Sequence, residues 1–89
     1  MAYNLIPKFK KWNKEHKNFM TPDVISIKQK GNRIYELSEG TGFENEPIYG
    51  ASELESKPDG NFQSTARGQM FHSEEKAKEH LKNLQQNNV

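Results

Sequence analysis

The stretch from Met70 to Leu84, MFHSEEKAKEHLKNL, leaves this chain little choice of architecture. Met70 and Phe71 close a β-like run, and Ser73 stands where a helix N-cap is needed. Ala77, Leu81 and Leu84 then recur at i, i+4 and i+7, one face of an α-helix. The Ser73 hydroxyl can accept from orphan backbone N–H groups, and Glu74 and Glu75 sit where the helix dipole favours negative charge. The apolar stripe is narrow, so the helix buries one side only. A helix over 74–86 therefore needs a surface to lie on, and the residues before it supply a sheet.

Val24 to Lys30 and Arg33 to Ser38 are rich in β-branched and aromatic residues and flank Gly31-Asn32, the signature of a two-residue type II′ hairpin. That loop places Ile25 and Ile27 on one face with Ile34, and Val24 on the other with Tyr35 and Leu37. Both faces carry apolar surface, as expected if a helix covers each side or a dimer buries one. Ile48 to Glu55 reads as a third strand, with Ile48 and Leu54 on one face and Tyr49 and Ala51 on the other. The turn Lys57-Pro58-Asp59-Gly60-Asn61 leads to a fourth, Phe62 to Phe71, weakened by Gly68.

Upstream, residues 4–20 read as a basic amphipathic helix. Leu5, Phe9, Trp12, His16 and Phe19 recur every three to four residues, and Lys8, Lys10, Lys11, Lys14 and Lys17 take most of the other side. Pro7 is tolerated only in the first turn, and Thr21-Pro22 ends the helix. The whole is expected to be one α+β domain over 1–89: N-terminal helix, antiparallel meander of three to four strands over 24–71, and a C-terminal helix packed on the sheet.

The residue inventory narrows the chemistry. The chain has no Cys, so disulfides and thiolate metal sites are excluded. His16, His72 and His80 include no i, i+4 pair, and no metal site is expected. Gly40 and Gly42 lie in a Gly-containing loop, EGTGFENEP, but no Lys follows in a phosphate-loop position and Glu39, Glu44 and Glu46 would repel phosphate. The alternating Asp/Asn spacing of a calcium loop is missing too. The Glu53 and Glu55 pair reads as ordinary surface charge. The expectation is a protein that is not an enzyme and carries no cofactor. No apolar run is long enough to span a bilayer, and no signal-peptide pattern opens the chain, so a cytoplasmic location is expected.

Net charge is only +1, yet it is unevenly spread. Residues 1–33 hold eight Lys/Arg against Glu15 and Asp23, and residues 34–66 hold seven Asp/Glu against Lys57. If the two blocks do not cancel, the domain presents two charged surfaces. The acidic one offers Glu39, Phe43, Glu44, Glu46, Tyr49 and Glu53 as a protein-binding set. An aromatic in an acidic, glycine-flanked loop can anchor an interface, or it can tuck against the core. The basic one offers Lys8, Lys10, Lys11, Lys14, Lys17 and Arg33, with Arg67 in support, for nucleic-acid phosphates. Its Lys-rich helix could equally be docked and solvated. Trp12 is a further candidate for an exposed aromatic.

Two resemblances bear on function. The tail FHSEEKAKEHLKNL after a short meander is similar in outline, over Val24 to Leu84, to the arm-binding domains of phage integrases, in which a three-stranded sheet enters a DNA groove and a helix backs it. Here the strands and loops carry Glu36, Glu39, Glu44, Glu46, Glu53 and Glu55, so no DNA-contact residue is carried over. Eleven Lys against two Arg, with nine Asn, also resembles the accessory proteins of phages infecting AT-rich bacteria. That resemblance implies a module that binds and inhibits a host protein, with a nucleic-acid-handling factor as a candidate target. Nucleic acid is the alternative partner, a homodimer is an open option, and membrane binding is not expected.

Overall fold

The computed structural model describes residues 4–16 and 20–86. The elements are α1 (Ile6–Glu15), β1 (Asp23–Lys30), β2 (Arg33–Thr41), β3 (Pro47–Ser56), β4 (Phe62–Ser64), β5 (Gln69–Phe71) and α2 (Glu74–Gln86). The strands form one antiparallel sheet in the order β1-β2-β3-β4, with β5 also on β3. This is the α+β architecture expected from the sequence.

Sequence alternation in β2 explains the layering. Ile34 packs with Leu54 and Phe62 under Leu5 and Phe9, so α1 covers that face. Tyr35 and Leu37 point the other way and pack with Ala51 under Ala77, Leu81 and Leu84, so α2 covers the opposite face. Each helix thus buries its apolar stripe against one side of the same sheet, which is why both faces of the hairpin are apolar.

The Gly31-Asn32 turn pairs Lys30 with Arg33, and Gly31 takes φ +63° while Asn32 does not enter the positive region. This is the II′ pattern. One expectation about β1 needs correction. A bulge between Val24 and Ser26 pairs Val24 with Ser38, which places it on the α1 face rather than with Tyr35 and Leu37. An added residue in a strand reverses the facing of everything beyond it.

The expected fourth strand is two strands. β4 pairs with Leu54–Ser56 of β3 and β5 with Tyr49–Ala51, and residues 65–68 interrupt them. Ala66 at the break has φ +67°. α1 is also shorter than expected: it ends at Glu15, and His16 at φ −127° has left the helix. Lys17 and Phe19 lie outside the described residues.

After α1 the chain crosses the sheet closely. A Cβ on Gly40 would sit 2.0 Å from the Met20 carbonyl oxygen, so only glycine admits the crossing. Thr21 is buried there and accepts a hydrogen bond from the Ser38 hydroxyl at 2.9 Å. α2 is capped as its sequence dictates, with the Lys76 N–H donating to Ser73 Oγ at 3.3 Å.

A candidate protein-contact site at the tip of the second hairpin

β2 and β3 stay paired as far as Thr41 and Pro47, and residues 42–46 close the hairpin between them. The Gly42 N–H donates to the Glu46 carbonyl at 2.8 Å, and the Asn45 N–H donates to the Gly42 carbonyl at 3.2 Å. The Glu46 carboxylate folds back to accept from the Glu44 N–H at 2.8 Å. A Cβ at Gly42 would collide with that carboxylate, and Asn45 takes φ +61°, a conformation its side chain tolerates. The loop is therefore closed by its own backbone and one side chain.

This closure leaves Phe43 pointing outward, 94% exposed. It does not tuck against the core. Glu39 and Glu44 are exposed beside it, Glu46 is half-buried, and Asp23 pairs across from Glu39 in the β1–β2 ladder. Among the described residues, none of these four carboxylates has a basic group within 4 Å. The tip is an aromatic ring framed by unneutralised negative charge.

The other expected members of the protein-binding set lie elsewhere. Tyr49 is half-buried against the α2 cluster. Glu53 is a correction: its side chain is 0% exposed and cannot be a contact residue on the outer surface. Its strand position faces inward with Ala51, and it is held by ion pairing. Arg67 Nε and Nη2 donate to its two carboxylate oxygens, the Thr65 hydroxyl donates to Oε1, and Arg33 Nη1 stands 3.7 Å away. The Arg67 hydrogen bond is the main cause that lowers the Glu53 carboxyl from 4.5 to about 2 against the opposing effect of burial. His80 Nε2 lies 2.8 Å from the Arg67 carbonyl, which ties α2 to the same loop. Alternation alone placed Glu53 beside Ala51, so a charge facing the core was the available signal for this network.

The basic set also divides. Lys8, Lys10, Lys11 and Lys14 are exposed on α1, and among the described residues none lies within 4 Å of a carboxylate. Lys17 is outside the described residues. Arg33 is engaged with Glu53 and Glu55, and Lys57 with Glu55, so part of the acidic block is neutralised within the sheet. Trp12 is not an exposed anchor either. It packs on Phe9 and Phe62 with centroids 5.9 and 5.5 Å away, and stacks on His16 at 4.5 Å. Its Nε1 is buried with no hydrogen-bond partner among the described residues.

Beneath α1, Glu36 is 5% exposed and accepts a hydrogen bond from Asn13 Nδ2 at 2.9 Å. Burial raises its pKa, and the Asn13 bond acts the other way. Among the described residues no three His, Asp or Glu side chains converge as metal ligands, and no helix is long and apolar enough to cross a membrane. No family model matches the chain, and no match arises among curated proteins or solved structures.

Proposed function

We propose that the protein is a non-enzymatic protein-binding module whose contact is the Phe43 tip. The observation that carries this is a large aromatic side chain, 94% exposed, on a loop closed by its own hydrogen bonds. Exposing a phenyl ring gives the fold nothing, and pre-ordering the loop lowers the entropy cost of docking it. Aromatic anchors of this kind carry a disproportionate share of interface energy. Glu39, Glu44 and Glu46 favour a partner with a basic rim around an apolar pocket, and they steer such a partner toward the tip. A host protein whose basic surface handles nucleic acid fits that description, and the Lys- and Asn-rich composition favours a phage or mobile-element origin and a cytoplasmic setting. Inhibition would follow from covering the basic surface.

Affinity capture from bacterial lysate at physiological salt tests this reading. A specific protein is expected with the wild-type chain and should be lost with Phe43→Ser. Recovery of the same proteins by both chains would refute it.

A second reading is nucleic-acid binding through Lys8, Lys10, Lys11 and Lys14, favoured by their exposure and by the lack of carboxylate partners among the described residues. It expects affinity that falls steeply with salt and little base preference. A gel shift that shows no complex even at low salt removes it.

A further inference from the structure

We propose that the cleft between α2 and β1 is a binding site for a small organic anion, a carboxylate or phosphate carried on an apolar body. The proposal is independent of the Phe43 tip. α2 packs chiefly on β2, β3 and β5, so the sheet extends past the helix on the β1 side. The register pairs Ser26 with Leu37 and Lys28 with Tyr35, which turns both β1 residues toward the α2 face. Lys78, Leu81, Lys82 and Gln85 recur at i, i+3, i+4 and i+7 and form the opposite wall. The space between the two walls is about 380 Å³.

Three features select the ligand. First, the volume suits a small molecule, for which pockets run from roughly 300 to 1,000 Å³. Second, the floor is apolar. Leu37 and Leu81 come from the core under α2, and the Tyr35 hydroxyl is engaged with Glu53 and Arg33, which leaves its ring for the cleft. Third, the walls are cationic, with Lys28 on one side and Lys78 and Lys82 on the other. Lys78 is shared with Glu74 at 2.9 Å, whereas among the described residues Lys28 and Lys82 lie within 4 Å of no carboxylate. Like charges at i, i+4 disfavour a helix, and Lys28 adds to them across the cleft. An anionic head between the walls turns that repulsion into charge-assisted hydrogen bonding, while the apolar body covers the leucines. Lys30 donates to the Gln85 carbonyl, which ties the last turn of α2 to β1 and fixes the spacing of the walls.

The test is an NMR titration of the amide shifts with hexanoate and with hexyl phosphate, using hexanol and inorganic phosphate as the separate parts. Saturable shifts are expected at Ser26, Lys28, Leu81 and Lys82 with one or both whole anions, the tighter of the two identifying the head group. Hexanol and inorganic phosphate should each bind more weakly. Lys28→Gln with Lys82→Gln is expected to weaken binding of the anion about tenfold, two wall charges being removed. Lys8→Gln with Lys11→Gln, the same charge change on α1, should leave affinity within about twofold. Phe43→Ser should leave it unchanged, which separates this site from the tip. No saturable shift with either anion, equal binding of hexanol or inorganic phosphate, or equal losses from the two lysine pairs would each overturn the proposal.

Discussion

Two buried glutamates, one on each face of the sheet, carry opposite consequences for stability. Glu53 is stabilised as an anion by Arg67, and its carboxyl is lowered to about 2. Its contribution is fully present above its unfolded value near 4.5 and is lost as pH falls toward 2. Glu53→Gln takes away the carboxylate that pairs Arg67, while Arg33 keeps Glu55, and is expected to cost about 3 kcal/mol at neutral pH. The same substitution should flatten the fall in stability between pH 4.5 and 2. Glu36 is the reverse case: burial raises its pKa. Ionised Glu36 therefore costs stability at neutral pH, and the cost disappears as pH falls through its raised pKa to the unfolded value. Glu36→Gln is expected to raise the melting temperature at pH 7, with no gain left at pH 3. Thermal melts of both variants across pH check the two signs together. Neither network was legible as chemistry in the sequence. Arg67 lies 14 residues from Glu53, and only the break in the edge strand turns it back.

At the scale of elements, local patterns did most of the specifying. The Ala77, Leu81 and Leu84 stripe with the Ser73 cap defines α2, and Gly31-Asn32 sets the first hairpin register. The two misses within the sheet have local causes that the pattern hides. The bulge at Ile25 adds a residue without any glycine to mark it, and Val24 changes face as a result. The split between β4 and β5 rests on Ala66 in a left-handed conformation, which alanine does not advertise. That conformation costs a non-glycine residue about 1–2 kcal/mol. Glycine removes the cost but returns about 0.4–1 kcal/mol of unfolded-state entropy. Ala66→Gly is therefore expected to stabilise the fold by about 0.5–1 kcal/mol, measured by urea denaturation. Asn45, also left-handed, should gain less, since asparagine already tolerates the region.

Across the whole molecule, charge sorts by element. Two arginines and Lys57 neutralise Glu53 and Glu55 within the sheet, while among the described residues neither Lys8, Lys10, Lys11 and Lys14 nor the carboxylates at the hairpin tip form an ion pair. The uneven charge distribution was visible in the sequence. Which residues remain outside was not, because it depends on how strand alternation and the edge-strand break dispose of each carboxylate. The tip itself combined a readable composition with an unreadable orientation: EGTGFENEP named the residues, and only the loop closure put Phe43 in solvent. Since that ring is 94% exposed, Phe43→Ser should change stability by no more than about 0.5 kcal/mol, so a loss of binding in that variant reports on contact rather than folding. The most direct measurement places a photo-crosslinking benzoylphenylalanine at position 43 and, as a control, at the exposed Asn83 on α2. Irradiation in lysate at physiological salt is predicted to trap one protein from position 43, lost when Glu39, Glu44 and Glu46 become glutamine, and nothing comparable from position 83. Equal, non-selective crosslinking from the two positions would contradict the account.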